Sequence, residues 1–333
     1  MSAWRGRSVF VTGAGGFIGS WLAKALVEAG ATVTCLLRDQ PRISNFTLLG
    51  LEGRVNILRG RVEDGGLLAR ALNEYECDTC FHLAAQAVVG AANRAPLATF
   101  ETNIKGTWTL LEACRRSPLM RRVVVASSDK AYGEQADLPY TEDSPLCATY
   151  PYDVSKACAD MLARAYHQTF GLPVAICRPA NIYGGGDLHF SRLIPGTALS
   201  ILRGEPPIVR SDGRAVRDYV FVDDAVRGYL RLGELAGDSG VAGQAFNLGS
   251  GVPVKVLDVV DTLLAHAGRT DLSPLVMRVS KPEGEIGEQW LSSDRAAEVL
   301  GWRPTVGLEE GLKLTFGWYH EHLPQIEGRR DVR

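Results

Sequence analysis

No uninterrupted apolar run in the 333-residue sequence approaches the length of a membrane span, and Met1 to Arg7 hold no apolar segment of the secretory kind. The chain is therefore expected in the cytoplasm, with no membrane partner. Charge of one sign is also lacking: 36 Lys and Arg face 38 Asp and Glu, a net charge of −2. That leaves no basic field for nucleic acid. Metal-ligand spacing is missing as well, because His82, His167, His189, His266, His320 and His322 do not combine with carboxylates or thiols, and they read as structural or exposed. The seven cysteines are an odd count, and Cys35, Cys158 and Cys177 sit in apolar stretches, which reads as reduced core thiols and not as a disulfide framework. Cys77 and Cys80 form a lone CxxC before a strand; without a second pair, zinc or redox chemistry is not expected there. No internal repeat or low-complexity tract is visible, and only the polar tail after Leu323 reads as disordered.

A chain of this length exceeds the usual ceiling for one hydrophobic core, so a main domain with a smaller lobe is expected. Short β-branched runs alternate with longer amphipathic segments, the pattern of a parallel sheet with helical crossovers. The expected strands are Ser8 to Thr12, Thr32 to Leu37, Val55 to Leu58, Thr79 to Leu83, Arg122 to Ser127 and Pro173 to Arg178. Helices are expected at Phe17 to Ala29, Gly65 to Glu74, Pro96 to Arg115 and Tyr152 to Phe170. Together these predict an α/β fold with a doubly wound parallel sheet of the Rossmann kind. After Arg178 the texture changes: Gly184, Gly185 and Gly186 open a loop and Pro195, Pro206 and Pro207 punctuate the next stretch. A smaller, discontinuous α/β substrate lobe is expected from residues 181–215 and 263–323. Residues 1–180 then form the dinucleotide-binding domain, rejoined by about 216–262 through strands at Val216 to Val222 and Ala245 to Leu248, with 324–333 as the tail.

The segment Val11-Thr12-Gly13-Ala14-Gly15-Gly16-Phe17-Ile18-Gly19 lies between the first expected strand and helix. Gly13 permits a tight turn, Gly16 lets backbone amides approach a pyrophosphate, and Gly19 allows close helix-to-sheet packing, with Phe17 and Ile18 opening the helix toward the phosphates. In that strand-loop-helix setting the glycines predict a dinucleotide cofactor. The second strand ends at Leu37-Arg38-Asp39, where a carboxylate favours the ribose hydroxyl of NAD and an arginine the 2′-phosphate of NADP, so the choice between the two stays open. Leu83, Ala84 and Ala85 follow the fourth strand, where small residues let the backbone pass close to the cofactor, and Gln86 either reaches a sugar or caps the loop.

Tyr152 and Lys156 are four apart on one expected helix and project from the same face, while Ser128 ends the fifth strand at the carboxyl edge of the sheet. A tyrosine is a poor base until a neighbouring ammonium and a cationic nicotinamide lower its pKa, and a serine hydroxyl holds the reacting oxygen. Tyr152 and Lys156 also border the expected cofactor. A YxxxK alone is common on surface helices; the combination with the glycine loop and strand-end serine makes it specific.

With these motifs in place, Thr12 to Gly19, Tyr152 to Lys156 and Val216 to Val220 resemble the extended short-chain dehydrogenases that modify nucleotide sugars, and the likeness runs from about Ser8 to about Tyr319. Within that epimerase/dehydratase family, Ser127 to Tyr132 and Arg178 to Asp187 resemble the CDP-glucose 4,6-dehydratase branch. The resemblance implies a retained, recycled nicotinamide cofactor, a nucleotide-diphosphate hexose as substrate and a 4,6-dehydration. It makes Asp129 the acid that protonates the departing C6 hydroxyl and Lys130 the base that removes the C5 proton; a surface Asp-Lys pair is the plain alternative. It also implies substrate contacts at Asn181 and Arg217, with Arg192 a weaker candidate of the same kind. A homodimer through helices Pro96 to Arg115 and Tyr152 to Phe170 is a further implication. Two other functions remain to be weighed, an NDP-sugar epimerase on the same scaffold and a non-catalytic nucleotide-sugar sensor.

Overall fold

The computed structural model describes residues 3–39, 41–277 and 286–328. Six apolar, largely β-branched runs form β1 (Ser8–Thr12), β2 (Thr32–Leu37), β3 (Asn56–Arg59), β4 (Thr79–His82), β5 (Arg122–Ala126) and β6 (Val174–Pro179). They are followed by β7 (Asn181–Tyr183), β8 (Ile208–Val209), β9 (Val216–Arg217), β10 (Tyr219–Phe221), β11 (Ala245–Leu248), β12 (Val254–Lys255), β13 (Leu275–Val276) and β14 (Glu288–Gln289). One seven-stranded sheet runs in the order β11-β6-β5-β4-β1-β2-β3, with every pairing parallel. The chain steps outward from β1 to β3, then crosses back to lay β4 beside β1. The order of strands therefore reverses between β1 and β4, and the carboxyl ends of those strands bound the crevice where open sheets of this type take ligands.

Burial on both faces explains why these strands are nearly continuous apolar runs. The helices are α1 (Phe17–Glu28), α2 (Asn45–Leu48), α3 (Gly65–Glu74), α4 (Val89–Arg94), α5 (Pro96–Phe100), α6 (Gly106–Arg116), α7 (Pro151–Phe170), α8 (Leu193–Arg203), α9 (Val222–Leu235), α10 (Val256–His266) and α11 (Leu308–Glu327). Val9, Val11, Val124, Ala175 and Cys177 turn to one core, shared with Leu22 and Leu26 of α1 and Leu232 of α9. Phe10, Val123, Val125, Val174 and Ile176 turn to the other, shared with Leu68 of α3, Leu110 and Leu111 of α6 and Ala163 of α7. The period-two alternation of strand side chains thus builds two helical layers from one sheet.

Three expectations need correction. The helix expected over Pro96 to Arg115 is interrupted by a π turn at Glu101–Lys105. That turn sets Asn103 inward, where its side chain accepts from Gln86 N at 2.7 Å and donates to Ser155 Oγ at 2.8 Å. The strand expected over Val216 to Val222 does not return to the main sheet. It splits at Asp218, whose buried carboxylate accepts from the backbone amides of Ser250, Gly251 and Leu291 at 2.8, 3.2 and 3.3 Å. On one side β9 pairs with β12 and β14, on the other β10 pairs with β7, and Val222 opens α9; β11 is the strand that joins the main sheet. Finally, α11 runs through Pro324 to Glu327, four residues into the expected tail, because Ile326 is buried beside Ala198 and Tyr319 and Glu327 pairs with Arg203 at 2.8 Å. Residues 278–285 of the expected lobe and 329–333 of the expected tail lie outside the described residues. Among the described residues no helix is long and apolar enough to cross a membrane.

Arg178 ties the sheet to the helix that bears the site. Its guanidinium donates to both Asp160 oxygens at 2.7 and 3.0 Å and to the Tyr132 hydroxyl at 2.8 Å, with Arg178 and Asp160 both buried. Arg178→Met leaves the buried Asp160 carboxylate with Arg164, at 2.9 Å, as its remaining cation, and is expected to lower stability by about 2–4 kcal/mol, toward the usual cost of breaking a buried pair on one side. Denaturant unfolding measures this, and a loss below about 1 kcal/mol would contradict a stabilising role for the pair.

Candidate active site

A crevice of about 1080 Å³ opens at the carboxyl ends of β1 and β4. Gly13, Gly16, Phe17, Ile18, Gly19, Arg38, Asp39, Leu83, Ala84, Ala85, Gln86, Ser128, Asp129, Lys130, Tyr152, Lys156, Asn181, Arg192 and Arg217, the residues singled out from sequence, all line it. Gly13 has φ of +75°, and a Cβ there would stand 2.6 Å from the Leu83 carbonyl carbon. Glycine is needed so that the β1 loop and the β4 loop can touch. α1 begins at Gly16 without a side-chain cap, so its leading N–H groups and the positive end of its dipole open on the crevice. This donor set fits the diphosphate of a dinucleotide. At the end of β2, Arg38 Nε donates to Asp39 Oδ2 at 2.6 Å, and both side chains are exposed.

The reactive side chains are positioned by a turn and a helix. Ser128 leaves β5 and caps a 3₁₀ turn over Asp129–Tyr132, its Oγ accepting from Lys130 N at 3.2 Å and donating to Asp129 Oδ1 at 2.9 Å. Pro151 at the first position starts α7, which brings Tyr152 and Lys156 to the crevice on adjacent turns. Burial pushes the Tyr152 phenol up to about 12, opposed by a hydrogen bond with Ser128 and by the charge of Arg192. The Lys156 ammonium donates to Ala126 O at 2.7 Å inside the strand end, and burial pulls Lys156 itself down to about 8. In the protein alone Tyr152 therefore stays protonated, and further positive charge must arrive to make it a base.

Asp129 is buried, and burial raises its pKa against the opposing pulls of Lys130, Ser128 and Arg217. Its Oδ2 has no hydrogen-bond partner among the described residues. Burial thus shifts this carboxyl toward its protonated form, the form an acid needs. Lys130 Nζ donates to Gln289 Oε1 at 2.8 Å.

The candidate substrate contacts are more engaged than their sequence suggests. Gln86 caps its own loop, Oε1 accepting from Val88 N at 3.2 Å. Asn181 Nδ2 donates to Asp218 O at 3.0 Å, Arg192 pairs with Asp187 at 2.8 Å, and the Arg217 guanidinium holds the carbonyls of Val216, Ile286 and Gly287 at 2.8, 2.6 and 3.2 Å. Sequence reasoning missed Gln289, Asp153, Asn103 and Asp187. A carboxylate directly after Tyr152 was a usable signal for Asp153; nothing local marks Gln289. Away from the crevice, Cys35, Cys77, Cys80, Cys114 and Cys177 are buried, Cys158 is half-buried and Cys147 is exposed.

A doubly wound sheet with a glycine loop at its switch point and a Ser-Tyr-Lys set at its carboxyl edge defines a dinucleotide-binding enzyme scaffold. The profile described as the NAD dependent epimerase/dehydratase family matches residues 9–249. A dTDP-glucose 4,6-dehydratase of Xanthomonas campestris pv. campestris strain B100 is 33% identical over 96% of this chain and 95% of its own. A CDP-glucose 4,6-dehydratase of Salmonella typhimurium strain LT2 is 31% identical over 95% of this chain and 91% of its own. The crystal structure of a dTDP-glucose 4,6-dehydratase from Streptomyces venezuelae, with NAD bound, superposes with a TM-score of 0.87 at 33% identity, covering 96% of this chain and 99% of that one. The chain belongs to the NAD dependent epimerase/dehydratase family.

Asp153 gives the site a measurable pH signature. Burial raises its carboxyl from 3.8 to about 6, with Lys130 lowering and Asp129 raising it further. A folded-state pKa above the unfolded one means that stability is greatest below the unfolded value and is lost as pH rises through the folded value. Asp153→Asn removes that penalty, so the variant should be more stable than the parent by on the order of 1–3 kcal/mol near neutral pH, with the difference vanishing below about pH 4. Equal stability at both pH values would contradict the burial of this carboxylate.

Proposed function

We propose that this chain is an NAD-dependent nucleotide-diphosphate-hexose 4,6-dehydratase that converts its substrate to a 4-keto-6-deoxy sugar and water. The observation that carries this reading is the Asp129–Lys130 pair at the end of β5, with a buried, partly unpartnered carboxyl beside the Ser128 and Tyr152 hydroxyls. A 4-epimerase of the same family needs no acid and base at C5 and C6, and a nucleotide-sugar sensor needs no proton-transfer group at all. The relatives named for dTDP-glucose and CDP-glucose support a nucleotide-diphosphate hexose as substrate. NAD is favoured over NADP because the Arg38 guanidinium is held by Asp39, which leaves a carboxylate at the strand end where a ribose hydroxyl binds.

When bound, NAD supplies a hydride acceptor at C4 and a hydride donor at C6. The protein's own groups move the protons. Tyr152 takes the C4 hydroxyl proton while Ser128 holds the oxygen; the resulting ketone acidifies C5. Lys130 removes the C5 proton, Asp129 protonates the departing C6 hydroxyl, and water leaves. A proton is then returned to C5, so the sugar loses one water and the cofactor is unchanged. The glycine loop and the start of α1 hold the cofactor diphosphate, with Leu83, Ala84 and Ala85 flanking it, and Asn181, Arg192 and Arg217 lie along the path of the substrate diphosphate.

We place the enzyme in the cytoplasm, which suits a chain whose thiols are mostly buried in its core. A homodimer through α5, α6 and α7 accounts for the exposed Leu97, Trp108 and Met161 on those helices.

Mass spectrometry of nucleotide-diphosphate hexoses incubated with the protein and NAD tests the reading. One substrate should lose a single water; a C4-inverted product of unchanged mass would assign the chain to the epimerases. Tyr152→Phe should slow C4 oxidation at least about a hundredfold, the lower range for a lost general base. Asp129→Asn and Lys130→Ala should leave C4 oxidation in place and slow water loss, and unchanged product formation in both variants would remove the pair from the mechanism.

A further inference from the structure

We propose that Gln289 is a positioning residue for the elimination half of the reaction, its amide locking the base Lys130 and the acid Asp129 into one register over the C5–C6 bond. This role rests on the dehydratase reading. Gln289 is fully buried on β14, more than 150 residues from the turn that it touches. Its Oε1 accepts from Lys130 Nζ at 2.8 Å and its Nε2 donates to Asp129 O at 2.8 Å. The orientation of the amide follows from chemistry, since an amine must be met by the oxygen and a carbonyl by the NH₂. One side chain therefore holds the side chain of the base and the main chain of the acid.

Lys130 needs such a hold. It is a flexible four-carbon stem on a short 3₁₀ turn, and a base that must reach one C–H bond gains from a fixed amine. The holder is itself rigid: Gln289 pairs across β14 with Arg217 of β9, whose guanidinium clamps the carbonyls of Ile286 and Gly287, while Glu134 Oε1 accepts from Gly287 N at 2.9 Å. A neutral amide also suits a proton-transfer group better than a carboxylate. Its oxygen accepts from the ammonium and from the neutral amine alike, so Lys130 stays in place through the proton cycle without being pinned in its charged form. Among the described residues, the charged groups that act with Lys130 include Asp129 on its own turn and Asp153 on α7, with Arg217 of β9 acting on Asp129. A carboxylate at position 289 would add negative charge beside Lys130.

The test compares Gln289→Leu, Gln289→Glu and the double variant Lys130→Ala with Gln289→Leu, reading water loss by mass and, in deuterated water, deuterium gained at C5. Gln289→Leu should slow both by at least about fivefold while C4 oxidation in a single turnover stays within about twofold of the parent, the size expected for a lost contact between coupled groups. Gln289→Glu keeps the acceptor but favours the ammonium, so the limb of the pH–rate profile that needs a neutral amine should move to higher pH. In the Lys130→Ala background, Gln289→Leu should add less than its loss in the parent, because only the hold on the Asp129 carbonyl is left to break. The proposal is overturned by parental elimination in Gln289→Leu, by an unmoved pH limb in Gln289→Glu, or by losses that multiply in the double variant. Equal loss of C4 oxidation and water loss in both single variants would mark a general structural role and overturn it too. A parent that removes no water from any hexose defeats the dehydratase reading first and this role with it, an outcome distinct from an active parent with an indifferent Gln289.

Discussion

Everything at the site depends on how closely the end of β1 approaches the end of β4. Gly13, at φ +75°, has no room for a Cβ against the Leu83–Ala84 backbone. The same seam is stitched by Thr12 Oγ1, which bonds the His82 ring at 2.8 Å and accepts from Ala84 N at 3.2 Å, while the far side of that ring meets Thr107 Oγ1 of α6 at 3.0 Å. Burial pulls His82 down to about 3, so it serves as a neutral cross-link and not as a titrating group. With β1 and β4 held this way, the uncapped start of α1 and the strand-end serine of β5 face the same space.

Within that space the protein sets one carboxyl, one phenol and two lysines to different tasks. Asp129 is buried and kept toward its neutral form, next to a lysine that a neutral amide holds. Lys156 spends its ammonium on a strand-end carbonyl, and Tyr152 stays high until a cationic partner comes. Burial favours the neutral form of Asp129, Tyr152 and Lys156 alike, so their roles are set apart by the partner each group meets. Gln289 of β14, distant from Lys130 in sequence, supplies the amide that meets both Lys130 and the Asp129 carbonyl.

The main sheet was legible because its strands are short apolar runs bounded by glycine and polar turns, and the registers of β1 and β2 coincide with the runs read from sequence. The glycine loop, Ser128, Tyr152 and Lys156 were legible because each motif is local. The lobe was not. Its strands are two or three residues long and draw their partners from distant segments, and the Val216 to Val222 run is apolar enough to pass for one strand although Asp218 breaks it. Asp153 lies within the Tyr152 to Lys156 motif but is marked out only by its burial in the fold, and Gln289 meets the site only through tertiary pairing of β14 with β9. The π turn at Glu101–Lys105 likewise exists to aim Asn103 at the Gln86 loop, a need that helical periodicity cannot reveal.

The central claim is that one hydrogen leaves C4 as hydride and returns at C6 of the same sugar while water is lost from C5 and C6. A nucleotide-diphosphate hexose carrying deuterium at C4, turned over with NAD in ordinary water, tests it most directly. The account predicts a dehydrated product with deuterium at C6 and none at C5. Deuterium kept at C4 of an undehydrated sugar, or accumulating in reduced cofactor one for one with turnover, would contradict it.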